Sequence, residues 1–119
     1  MTDVSDRGLE RAETSPQLAV IIPTLNEAAT LPGLLTQLRQ QQQIDLEVIL
    51  ADGGSCDATP QTARDFAVRI LTTQAGRGRQ MNRGAAQTRA PLLLFLHADS
   101  TLSTPTQLAE AVQALQRAW

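Results

Sequence analysis

The chain has 119 residues, 42% of them apolar, with no uninterrupted apolar run longer than five, so it reads as one globular domain with no stretch suited to a transmembrane helix or a signal peptide. Its net charge of −2 resides in the first 17 residues, where Asp3, Asp6, Glu10 and Glu13 face Arg7 and Arg11; the remainder balances at eight acids and eight arginines. With 3% aromatic residues and no tyrosine, the chain lacks the charge and the stacking surface of a nucleic-acid binder. Nothing in it is amphipathic and basic enough to indicate membrane association, and its single cysteine, Cys56, forms no internal disulfide, so a reducing cytoplasm is the expected compartment.

Residues 1–17 are polar and unpatterned, which predicts a disordered leader before a domain spanning 18–119. The first apolar run, Leu18–Ile22, predicts a strand. Leu31, Leu34, Leu35 and Leu38 then repeat at helical spacing as one apolar face, and Gln40–Gln43 reads as the solvated end of that helix. A second strand is expected at Leu46–Ala51 and a helix capped by Thr59 before Pro60. A third strand at Val68–Thr72 precedes an arginine-bearing loop that opens a helix. The fourth strand, Leu92–Leu96, leads to a helix with Thr104, Pro105 and Gln107 as a capping box and with Leu108, Ala111, Val112 and Leu115 as its apolar face. Such aliphatic strands are expected to be buried on both faces. Alternation of strand and helix gives the α/β class: an open, mostly parallel sheet of about four strands with flanking helices. The last helix reaches Trp119 without a glycine stop, as though a larger domain continued beyond it.

In parallel sheets of this kind ligands sit beyond the carboxyl ends of the strands, so the residues just after each apolar run are the informative ones. After the first strand come Pro23, Thr24, Leu25, Asn26 and Glu27, with Asn26 expected to cap the following helix. After the second comes ADGGSCDAT, where Asp52 is either the carboxylate of an Asx-turn or an acceptor for a base or ribose, and Asp57 is a helix-capping residue. After the third comes QAGRGRQMNRGAA. It fits neither the dinucleotide fingerprint nor a P-loop, yet Arg77, Arg79 and Arg83 beside a helix start suit a diphosphate. These lie with Arg69 and Arg89 in a 21-residue window free of acids, which predicts positive potential. After the fourth comes HADS, in which Asp99, with His97 as a second ligand, would hold a divalent cation, Mg²⁺ or Mn²⁺, together with a diphosphate. Cys56 has no neighbour in sequence that marks a nucleophile.

Taken together, VIIPTLNEAATLPGLL, LEVILADGGSCDAT, AGRGRQMNRGAA and LLLFLHADS resemble the N-terminal half of family 2 glycosyltransferases with the GT-A fold, in the short soluble bacterial subgroup, over residues 18–101. The resemblance implies a Rossmann-like half-domain that binds a nucleotide-diphosphate sugar and supplies the donor side of sugar transfer to an unknown acceptor. It implies that Pro23, Thr24, Leu25 and Glu27 line the nucleoside and that Asp52 contacts the base or ribose. Arg77 would face the diphosphate with Arg79 and Arg83 as helpers, and Asp99 would bind metal and diphosphate. His97 stands where the family usually has the first Asp of an Asp-X-Asp motif, and Gly53 where many members have a second Asp.

No Asp or Glu follows Glu110, so the catalytic base is unknown within this chain. An incomplete sheet with one bare edge predicts self-association, a homo-oligomer. Two other readings remain open at this level: a non-catalytic nucleotide-binding module, and a sugar-phosphate nucleotidyltransferase, whose glycine-rich loop would be expected after the first strand, where PTLNEA stands.

Overall fold

The computed structural model describes residues 16–118; the expected leader lies, apart from Pro16 and Gln17, outside them. Four strands and four helices alternate: β1 (Leu18–Thr24), α1 (Leu31–Arg39), β2 (Leu46–Asp52), α2 (Thr59–Asp65), β3 (Arg69–Thr72), α3 (Arg77–Ala85), β4 (Leu92–Phe95) and α4 (Gln107–Arg117). The strands form one sheet in the order β3-β2-β1-β4, and all three pairings are parallel. The class predicted from the apolar runs is the class observed. Among the described residues no helix is long and apolar enough to cross a membrane.

Side chains alternate across the sheet, so each strand feeds two layers. Leu18, Val20, Ile22 and Leu50 face the thicker layer, where Leu31, Leu34, Leu35 and Leu38 of α1, Ala63 of α2, and Leu108 and Val112 of α4 close over them. Ala19, Ile21 and Ile49 face the thinner one, with Leu71 and Ala90 against them. This second face is covered by α3, in which Gly84 lies so close to the sheet that a Cβ there would come within 2.5 Å of Ile21 Cγ2. Gly84→Ala is expected to destabilise the fold by about 1–3 kcal/mol through overpacking, read from chemical denaturation.

Burial on both faces holds for the inner strands, along β1 and over Ile49–Asp52 of β2. β3 and β4 lie at the sheet edges and are half-exposed, and Leu93 (43% exposed) and Phe95 (44%) of β4 are bare, because α3 covers β1 and β2 rather than β4. On α4 the buried face is Leu108, Ala109 and Val112, while Ala111 and Leu115 are exposed; the helix is tilted toward Ala109 relative to the periodic reading.

The expected caps also move. α4 begins after Thr106, and Gln107 accepts from the Ser103 amide instead of closing a box on Thr104. The glutamine tract supplies the tie instead: Gln41 Oε1 accepts from the Leu108 amide at 3.0 Å while its Nε2 donates to the Thr104 carbonyl at 2.8 Å, so a distant side chain caps α4. Thr59 is already helical and does not cap α2 with its hydroxyl. Asp57 fills that role, accepting from both the amide and the hydroxyl of Thr59, which hold its carboxyl below the usual range.

Candidate functional site

β1 and β2 end side by side, with Thr24 opposite Asp52 in the register, and the loops leaving their carboxyl ends are laced together. Asn26 adopts a left-handed backbone (φ 57°); its amide donates to Ser55 Oγ at 2.8 Å and its Oδ1 accepts from the Cys56 amide at 2.7 Å. The Glu27 amide donates to Thr59 Oγ1 and the Ala28 amide to Asp57 Oδ2. Asn26 is therefore a clasp between loops and does not cap α1, as its spacing suggested; the N-cap is Thr30, which makes no side-chain cap bond.

Asp52 anchors this arrangement. It is 2% exposed, and both carboxylate oxygens are engaged: Oδ1 accepts from Thr24 Oγ1 at 2.7 Å and Ser55 Oγ at 2.6 Å, Oδ2 from the Gly54 amide at 3.1 Å and the Ser55 amide at 2.9 Å. Burial pushes its pKa up. The hydrogen bonds from Ser55, Thr24 and Gly54 outweigh that and hold it below the usual carboxylate range. The turn at Gly54 needs a positive φ (101°), which glycine adopts without strain.

Beside these loops lies an open pocket of about 340 Å³, within the range of small-molecule sites. Three segments line it. The first loop contributes Pro23, Thr24, Leu25 and Glu27; the start of α3 contributes Gly76, Arg77 and Gln80; the segment after β4 contributes His97, Ala98 and Asp99. Four sequence-distant stretches were expected to meet at this edge of the sheet, and three of them do so in one cavity. Asp52, from the fourth, does not line it, and its side-chain contacts are to Thr24 and the Gly54–Ser55 turn.

The arginine window separates on folding. Arg77 lines the pocket; Arg79 and Arg83 are exposed and do not, with Arg79 donating to Gln74 Oε1 at 2.6 Å. Arg69 stands at the opposite end of β3, paired with Glu47 at 3.3 Å and bonded to Gln87. Of the five arginines, Arg77 is the one whose side chain stands at the pocket wall.

For a cation, the segment after β4 offers the Asp99 carboxylate and the His97 imidazole together at the pocket wall, with the Glu27 carboxylate on the first loop. Among the described residues no group of three His, Cys, Asp or Glu could cage a metal. Two donors with open positions fit Mg²⁺ or Mn²⁺ shared with phosphate and water, and do not fit an ion held by protein alone.

Sequence reasoning missed Gln80. It is 5% exposed and joins both inner strands to α3, yet a glutamine in a polar, arginine-rich stretch carries no apolar signature by which to recognise a buried position.

The family model described as "Glycosyl transferase family 2" matches residues 19–119. The PGL/p-HBAD biosynthesis glycosyltransferase of Mycobacterium tuberculosis is 39% identical over 102 residues, covering 80% of this chain and 40% of that protein. The 4,4'-diaponeurosporenoate glycosyltransferase of Staphylococcus haemolyticus is 32% identical over 113 residues, covering 88% and 30%. Among solved structures, a mannosyltransferase from Pyrobaculum calidifontis in complex with GDP-Man and Mn²⁺ superposes with a TM-score of 0.76 at 26% identity, over 85% of this chain and 32% of that one. Glucosyl-3-phosphoglycerate synthase from Mycobacterium tuberculosis, in complex with Mn²⁺, UDP and glucosyl-3-phosphoglycerate, does so with a TM-score of 0.72 at 25% identity, over 90% and 42%. The chain spans less than half the length of each of these relatives.

Proposed function

The chain belongs to glycosyl transferase family 2, and from that premise we propose that its domain is the donor-binding half of an enzyme that transfers a sugar from a nucleoside-diphosphate sugar to an acceptor. The observation that carries this reading is the meeting of Arg77, His97 and Asp99 in one pocket at the carboxyl ends of parallel strands, beside the first loop. The nucleoside lies along Pro23, Thr24, Leu25 and Glu27. Asp99, with His97, holds Mg²⁺ or Mn²⁺ against the diphosphate, and Arg77 pairs with a phosphate oxygen. When bound, the cation supplies charge neutralisation to the departing nucleoside diphosphate. Asp52 acts by fixing the Thr24 hydroxyl and the turn at Gly54. The complexes of the two relatives with Mn²⁺ and nucleotide support the choice of ligand.

Cys56 is free and exposed, in keeping with a cytoplasmic setting. The bare Leu93 and Phe95 at the β4 edge support self-association, to be read from light scattering.

Calorimetric titration with UDP and GDP, with and without Mn²⁺, tests the reading: metal-dependent binding of one of them is expected, and a folded chain that binds neither overturns it. Arg77→Ala should weaken the diphosphate about tenfold while leaving the bare nucleoside within about twofold. Equal losses for both would remove its phosphate role.

A further inference from the structure

The helix α3 is held to the sheet by unusual means. Its sequence RGRQMNRGA has one apolar side chain larger than alanine, Met81, and its buried positions are Gln80 and Gly84, one turn apart. Gly84 allows close approach to Ile21. Gln80 does the rest through its amide: Nε2 donates to the main-chain oxygens of Thr24 at 2.9 Å and Ala51 at 2.8 Å, at the ends of β1 and β2, and Oε1 accepts from the Gly76 amide at 3.0 Å. Both amide hydrogens and one lone pair are engaged, so the reversed orientation would set oxygen against two carbonyls. Gly53 completes the fit. A Cβ there would lie 3.0 Å from Gln80 Cδ and Oε1 and 3.1 Å from Ala75 Cα, and Gly53 is not among the positive-φ glycines, so what it provides is room for the amide.

We propose that Gln80 is the positioning residue of the phosphate end of the pocket: it clamps Gly76, and with it Arg77 at the first position of α3, onto the carboxyl ends of β1 and β2. The inference deepens the donor-binding reading and rests on it. A helix with so little apolar surface has no other buried side chain to fix its first turn, so the placement of Arg77 depends on this one amide.

Gln80→Met keeps the length of the side chain and removes its hydrogen bonds. Gly53→Ala leaves Gln80 in place but crowds its amide, and serves if the first variant does not fold. Two measurements are made on each: hydrogen exchange at the Gly76 amide and the first turn of α3, and titration with UDP and GDP against UMP and GMP in Mn²⁺. Exchange at Gly76 is expected to rise about tenfold or more with α1 unchanged. The affinity for the diphosphate should fall about tenfold, with the monophosphate within about twofold. Unchanged exchange at Gly76 overturns the clamp whatever the nucleotides do. Faster exchange with equal loss for both nucleotides overturns the positioning role. Should the wild-type chain bind no nucleotide while exchange still rises in the variant, the donor reading fails, and the positioning role with it, while the clamp stands.

Discussion

Asp99→Ala is expected to abolish the dependence of nucleotide binding on Mn²⁺ while leaving the fold intact. The side chain is exposed and lines the pocket, and no hydrogen bond ties it to the scaffold among the described residues, so thermal unfolding should move little. Affinity should respond strongly, because the loss leaves His97 as the one remaining donor of the pair after β4. Removing outer partners of a metal ligand typically costs 10–100-fold, so removing the carboxylate itself should cost at least about 100-fold in the Mn²⁺-dependent component. Titration of UDP and GDP at several Mn²⁺ concentrations reads this directly. Persistence of the Mn²⁺ dependence in the variant would place the cation elsewhere.

The largest effect on stability is expected at Asp52. Asp52→Ala strands the hydroxyls of Thr24 and Ser55 and the amides of Gly54 and Ser55, which should cost about 3 kcal/mol or more in denaturant unfolding. It is therefore not a fold-neutral probe of ligand contact. Asp52→Asn should cost less, because its oxygen can accept from the two amides while its NH₂ donates to hydroxyls that turn to receive it. The two variants also separate in pH. With the folded pKa held below the ordinary value of about 3.9, the unfolded chain binds more protons between the two values. The carboxylate's contribution is thus fully present above the unfolded pKa and is lost as pH falls through the folded one. Wild-type stability should fall along that acid limb, and Asp52→Asn should flatten it. An acid limb equally steep in the variant would assign the loss to other carboxyls, Asp57 first among them.

Those features that rest on burial were legible in the sequence. Leu18, Leu46 and Leu92 were expected to open strands and do, and the α1 face of Leu31, Leu34, Leu35 and Leu38 is buried as its spacing predicts, because apolar periodicity reports directly on contact with a core. Helix ends were read unevenly. Asp57, expected as a capping residue, accepts from Thr59 two residues on and is a local tie, whereas α4 is capped by Gln41 from 67 residues away, which follows from tertiary placement. Edge exposure was likewise hidden: Leu92–Phe95 has the composition of an inner strand, and nothing local says that it stands at the margin of the sheet.

Pro23, Thr24, Leu25, Glu27, Arg77, His97 and Asp99 line the candidate pocket, and their gathering there was legible because parallel sheets bind ligands past their strand ends. Gln80 was not, since its role depends on two carbonyls from other strands and on the room beside Gly53. Asp52 was found with its two readings open, and geometry favours the supporting one.

Surface loops usually drift in length between relatives because each answers to solvent alone. The segments after β1 and β2 have lost that independence. The amides of Asn26, Glu27 and Ala28 are held by Ser55, Thr59 and Asp57, and the amide of Cys56 by Asn26, so one inserted residue in either segment throws all four contacts out of step. Residues 24–28 and 52–59 are accordingly expected to vary as a block among relatives, with changes at position 26 answered by changes at 55–57 and insertions falling elsewhere, which an alignment of relatives would check.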